Sequence, residues 1–317
     1  VLTRGSIAPG SSHDTLNTDT PFVDQSQTYT SHSSHQVFLR EYKLVGGKPK
    51  ATGKFLSTAD GGIANWKMIK EQAATKLGLQ LVDVDVNNIP MVTVDQYGNF
   101  IPGPNGFAQF VTATGLVEGD PAANGNLGVA APVNVTRIET AFLNDIAHSA
   151  DPGCIPGPGC NPPKGPKTPD ADEIDGGSLD PVATGEYDNE LLDLHYICGD
   201  GRCNENIGLT AIHQVFHMEH DRLVHYFYHR EGTNVPGPET GVLIQDSALL
   251  AEYKNVNATT FTFEERLFQA ARFVTEMQYQ HLVFEEFARK VQPAINPFEP
   301  FAFNQTDLNP AITAELT

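Results

Sequence analysis

Three groups of residues in this chain of 317 have types and spacings that could do chemistry. The first is Asp200-x-Arg202-x-x-Glu205, a glycine-rich turn that runs into a helix start. An arginine keeps its charge at any working pH and can stabilise negative charge that develops during a reaction. Arg202 and Glu205 are three apart and can point into one space, although such a pair on a surface is common and worth little. The second group is the histidine set His213, His217, His220, His225 and His229. His213 and His217, four apart, share one helix face and invite a zinc reading. A zinc metalloprotease helix also needs a glutamate directly after the first histidine; Gln214 stands there, and the five histidines circle the helix rather than converge. The third group is Thr20-Pro21-Phe22-Val23-Asp24-Gln25-Ser26. Oxygens of Thr20, Asp24 and Ser26, with the Phe22 carbonyl, can wrap a hard cation that takes about six to eight oxygen ligands. A plain Ser/Thr-rich turn is the competing reading.

The four cysteines fall in two pairs of equal spacing, Cys154 with Cys160 and Cys198 with Cys203. Two local disulfides would suit an oxidising compartment, though four cysteines allow three connectivities. Free thiols and a metal site stay open beside them, and neither pair has the short spacing of a zinc knuckle.

The elements that must position these groups are mainly helical. The stretch 207–228 places Leu209, Ile212, Phe216, His220, Leu223 and Phe227 on one stripe. The stretch 263–291 does the same with Leu267, Ala270, Val274, Met277, His281, Phe284 and Ala288, and a helix of that length predicts cover on more than one side. Helices are also expected over 64–77, stopped by Gly78, and over 133–147, where Ile138, Phe142 and Ile146 recur every four residues. Residues 35–45 and the run to Phe55-Leu56, joined by Gly46-Gly47, read as a β-hairpin. Turns and one short hairpin are expected over 92–107. Residues 1–35 read as an extended loop, and 151–185, rich in Pro, Gly and Asp, as a loop or insertion.

Composition narrows the function classes. With 40% apolar and 19% charged residues the chain has the makings of a globular core. A formal charge of -19 repels phosphate backbones and anionic lipid, which argues against nucleic-acid and membrane-surface partners. No run approaches the roughly 20 apolar residues of a membrane span. The chain opens at Val1 in a polar segment, with no signal peptide visible, and reads as a processed or truncated N-terminus.

Asp200-x-Arg202-x-x-Glu205, followed by Leu209-Thr210-Ala211-Ile212-His213 and Glu219-His220-Asp221-Arg222-Leu223, resembles the signature of the animal haem peroxidase superfamily. Glu265-Arg266-Leu267-Phe268-Gln269-Ala270-Ala271-Arg272 resembles a helix of that family, and the Thr20–Ser26 segment resembles its calcium loop. The likeness spans about residues 20 to 290 and is nearest to the large secreted bacterial members. It implies a mainly α peroxidase-like domain over 1–317, with long loops and a few short β-hairpins. It also implies haem and calcium as cofactors, hydrogen peroxide and a small reducing substrate as partners, and an extracellular setting. By the same mapping Arg202 matches the distal, catalytic arginine, and Glu205 the carboxylate ester-linked to haem. Thr20, Phe22 (main chain), Asp24 and Ser26 match calcium ligands. Asn206 stands where some members carry a methionine linked to haem as a sulfonium, so that link is not expected.

The family's distal and proximal histidine segments are not found among residues 1–317. The expectation is an internal fragment of a longer peroxidase, whose adjoining segments or another chain carry those histidines. The other reading is a haem-free structural or binding protein on the same fold.

Overall fold

The computed structural model describes residues 32–146, 149–155, 165–174, 182–229, 261–291 and 293. One compact unit covers Ser31–Gln278, and the two ends of the chain form a second. The calcium-loop positions Thr20, Phe22, Asp24 and Ser26 and residues 1–31 of the extended loop expected over 1–35 lie outside the described residues, and residues 33–35 are helical instead.

Helix is the dominant regular structure, as the periodicities predict. Helix α1 (Ser33–Leu39) opens the larger unit, capped by the His32 imidazole accepting from the Ser34 amide. It runs straight into β1 (Arg40–Val45), which pairs antiparallel with β2 (Lys48–Phe55). The hairpin expected over 35–55 is therefore correct only from Arg40 onward. Residues 33–39 coil instead because Val37, Phe38 and Leu39 are all buried there, and a helix places the three inside together.

Helix α2 (Trp66–Gln72) is capped by Asn65 and continues as a π-helical stretch over Ala73–Leu77. Gly78 stops it in the left-handed region, at φ 74°. A Cβ on Gly78 would meet the Asp120 amide nitrogen at 2.5 Å, so the stop needs glycine twice over. Strands pair only in twos among the described residues: β3 (Leu79–Gln80) with β6 (Val129–Ala130), β4 (Gln109–Thr112) with β5 (Gly115–Glu118), and β7 (Thr168–Pro169) with β8 (Glu186–Tyr187). A turn over 92–107 is present, with Val94 bridged to Phe100.

The helix expected over 133–147 does not form in its described part. Residues 133–146 run as a turn followed by irregular, partly extended chain, and their amides find distant partners: Thr136 bonds Val111, Ile138 bonds Ile89, Phe142 bonds Val86 and Asn144 bonds Gly201. Val133, Val135 and Thr136 are β-branched and suit extended pairing, and Glu139 sits at φ 58°, which no helix admits. The apparent four-residue period has another use. Phe142 is the centre of the core, with Trp66 at 5.1 Å and Phe38 at 5.7 Å between ring centroids. Ile69, Leu77, Leu79, Ile89, Phe110, Leu143, Leu192 and Ile197 complete the packing, all buried.

Helix α3 (Asn189–Leu194), capped by Asp188, leads through Tyr196, which bridges Asn65, to the Asp200 turn. The two long helices follow as α4 (Ile207–His229) and α5 (Phe263–His281). Past His281 the chain continues in the second unit as a π-helical stretch over Leu282–Ala288 and a last turn, Arg289–Val291. Leu223 and Val224 of α4 pack on Leu267 and Ala271 of α5. The predicted cover on several sides is not found among the described residues. The buried face of α5 is confined to Glu265, Leu267, Phe268 and Ala271, while Phe273 and Met277 are exposed.

A buried ion pair holds α5 to the first hairpin. Arg40 donates to Glu265 at 2.6 Å and to the Tyr97 carbonyl at 2.6 Å, with side-chain exposures of 1% for Arg40 and 3% for Glu265. Glu265→Ala, which strands the guanidinium, should cost about 3–5 kcal/mol in urea unfolding, and Arg40→Met/Glu265→Leu should recover most of it. A single-variant loss below about 1 kcal/mol would show that the pair is not a support of the fold.

Candidate active site

The turn before α4 is short and tightly specified. Asp200 caps a 3-10 turn over Gly201–Asn204, accepting from the Arg202 amide at 2.9 Å. The same carboxylate accepts from Arg202 Nε at 2.9 Å and from Nη2 at 2.9 Å. This fork geometry fixes the guanidinium plane, while about a third of the side chain stays exposed. Gly201 lies against the Ala141 carbonyl, where a Cβ would come within 2.9 Å, and it accepts from the Asn144 amide. Cys198 and Cys203 are joined by a disulfide across the turn, packed on Ile63, and Cys154 is disulfide-bonded too.

The expectation that Arg202 and Glu205 share one space is corrected in part. The guanidinium turns back to Asp200, and Glu205 is exposed with no ion pair to Arg202. Motif spacing carried no sign of this, because Asp200 reaches Arg202 only when the turn closes. Glu205 sits instead beside Ile207, which is 89% exposed at the first turn of α4.

Beneath the turn lies His35 of α1, fully buried, its ring edge-on to Phe142 at 4.8 Å. Neither ring nitrogen makes a hydrogen bond of ordinary geometry, although the Cys198 backbone lies close enough to favour the charged ring. Burial pushes this imidazole down to about 4, against the opposing pull of the Asp200 carboxylate.

The histidines of α4 point to a second feature. His217 stacks on Phe55 at 5.3 Å, and His220 is buried with Nε2 near the Phe268 carbonyl at 3.2 Å. Asp221 accepts from the Phe55 amide at 3.0 Å and from the Ser57 hydroxyl at 3.2 Å. Ser57 Oγ also lies 2.9 Å from His217 Nε2, a spacing that suggests an activated nucleophile. The hydroxyl's other partners, Asp221 and the Phe55 carbonyl, only accept. With His217 in the tautomer that donates from Nε2, Ser57 gives its one proton to these acceptors and the pair ties α4 to the segment after β2. A cleft of about 300 Å³ opens here, lined by Phe55, His213, Phe216, His217, Phe268 and Gly199. Burial lowers His213 and His217 below the usual imidazole range, so both are neutral at neutral pH. Neither the cleft nor Ser57 was legible in the sequence, because the cleft's lining comes from six separate segments.

Residues 178–315 match the animal haem peroxidase family. That stretch takes in the Asp200 turn, α4 and α5, whose motifs carry the resemblance. It makes a peroxidase-like function, with peroxide and a reducing substrate as partners, the reading for this part of the chain. No curated protein and no solved structure matches the chain. The calcium-loop positions fall outside the matched residues. Among the described residues no helix is long and apolar enough to cross a membrane.

The His35 shift has a definite sign. A histidine whose folded value is depressed takes up its proton more readily in the unfolded chain, so its contribution is intact above about 6.5 and lost as pH falls toward 4. His213 and His217 shift in the same direction. Between pH 7 and 4.5, wild type should lose about 2 kcal/mol more unfolding free energy than His35→Phe. Equal losses in urea titrations at the two pH values would remove His35 from this role.

Proposed function

We propose that this chain forms part of a haem-dependent peroxidase, with Arg202 on the peroxide side of the cofactor and Glu205 as its covalent anchor. The observation that carries the reading is the bidentate Asp200–Arg202 clamp inside the matched family segment. The donor set fits such a group. A fixed guanidinium, an exposed carboxylate and the bare apolar side chain of Ile207 suit a flat apolar macrocycle with charged edges.

When bound, haem supplies the electrons that peroxide takes up and withdraws them again from the reducing substrate. The chain's own part is electrostatic. Arg202 offers N–H donors and a permanent positive charge to oxygen that becomes negative as the O–O bond breaks. Asp200, bonded to Nε and Nη2, fixes the guanidinium beforehand, so little reorganisation of its remaining N–H groups is needed at the moment of reaction. Esterification of Glu205 would remove a carboxylate charge that is costly to bury under the cofactor. The axial and proton-shuttling histidines are proposed to come from adjoining segments or another chain. A bound calcium ion is proposed at Thr20, Phe22, Asp24 and Ser26, whose hard oxygen donors suit it. An extracellular setting accords with the acidic balance and the disulfides.

Haem titrated into the chain joined to the segments that carry those histidines should give a Soret band and peroxide-dependent oxidation of a phenol. Arg202→Ala should keep haem uptake and slow the reaction with peroxide about a hundredfold. No band after reconstitution favours the haem-free binding protein, and unchanged kinetics in the variant would remove Arg202 from the reaction.

For calcium, a chelator should lower the melting temperature of the wild-type chain. At a hundredfold excess over Kd the ion stabilises by about 2.7 kcal/mol. Asp24→Ala should melt alike with and without chelator; a wild type that also does so has no calcium at this loop.

A further inference from the structure

The Cys198–Cys203 disulfide encloses Gly199, Asp200, Gly201 and Arg202, the four residues that build the clamp. Its two ends belong to different parts of the unit. Cys198 follows Ile197, whose amide bonds the Ala64 carbonyl in the main core. Cys203 leads to α4: its amide bonds the Asp200 carbonyl at 3.2 Å, and its own carbonyl accepts from the Thr210 hydroxyl at 2.9 Å. Both cysteines are buried, at 5% and 0% exposure.

We infer that this disulfide is a positioning element for Arg202: it closes the turn so that Asp200 and the guanidinium meet, and without it the clamp opens. The physical argument concerns local openings. Hydrogen bonds of a partly exposed turn break by fluctuation at little cost, because water replaces them. The Arg202 side chain is 31% exposed, so water reaches its end of the clamp, while the Asp200 end is buried at 4%. Spreading Cys198 from Cys203 is the motion that would separate Asp200 from Arg202, and a covalent link between the two forbids it. The Asn144–Gly201 and Thr210–Cys203 hydrogen bonds brace the turn from outside, but neither spans it.

The inference rests on the role proposed for Arg202, yet its test does not pass through haem. Arginine-labelled and tryptophan-labelled chain would be followed by nitrogen-15 NMR, with the Arg202 signal assigned by its loss in Arg202→Lys. The chain's single tryptophan, Trp66, donates its indole N–H to Asp83 in the main core and reports on the rest of the fold. In Cys198→Ala/Cys203→Val the Arg202 Nε–H should exchange with water at least about tenfold faster, with the Trp66 signal unchanged. Unchanged exchange at Arg202 overturns the proposal. If the double variant does not fold, wild type is reduced by a phosphine in sub-denaturing urea and both signals are followed. Loss of Arg202 protection ahead of Trp66 supports the positioning role, and simultaneous loss of both overturns it. A chain that never binds haem but shows the exchange difference keeps this proposal while losing the peroxidase reading.

Discussion

The structure turns on one buried pair of charges, Arg40 with Glu265. Both leave water almost completely, which is costly for each ion, and the cost is offset by partners for the carboxylate and for both Nη groups, while Arg40 Nε stays without one. The guanidinium reaches both carboxylate oxygens and the Tyr97 carbonyl, and lies 3.8 Å over the Phe268 ring. Gln269, one turn further along α5, donates to the same carboxylate. Arg40 stands where α1 becomes β1, and Gln72 of α2 donates to the Arg40 carbonyl and accepts from the Tyr42 amide. A single buried contact thus joins α1, the first hairpin, the 97 turn, α2 and the start of α5. Glu265 also lies in the first turn of α5, where the helix dipole favours a negative charge.

The position of α4 follows from that anchor. Phe268 on α5 and Phe55 at the end of β2 meet at 5.1 Å, and His220 of α4 lies within 4.6 Å of both ring centroids. Asp221 then binds the Phe55 amide, which ends the hairpin edge on a helix side chain instead of on water. With the middle of α4 held there and its start held through the disulfide, the Asp200 turn has little freedom. Arg202 is positioned from two directions, by its own carboxylate clamp and by the helix that follows it.

Some of this was legible in residue order. The long apolar periods of α4 and α5 mark helices whatever surrounds them, and Gly78 marks a stop because only glycine adopts its φ cheaply. The Glu265-to-Arg272 motif acquires a physical meaning in the fold: Glu265 is the buried anion, while Leu267, Phe268 and Ala271 make the packed face. Other features were not legible. Residues 133–146 carry a helical period but form a turn and irregular, partly extended chain, since strands and turns far away in sequence offer their amides better partners. The short α1 was hidden behind alternation that suits a strand equally well.

By itself the sequence determined the helical class, the extent of α4, the start of α5 and the likeness of the Asp200-to-Glu205 turn to a peroxidase element. Those properties are local, set by periodicity, caps and motif spacing within one segment. Only the tertiary structure decided that Arg202 is clamped by Asp200 rather than drawn to Glu205. It alone also showed that Cys198 and Cys203 close that turn, that His35 is buried beneath it, and that a cleft forms between α4 and β2. These depend on which segments approach one another. That is decided by the burial of charge and apolar surface over the whole unit, and no spacing along the chain encodes it.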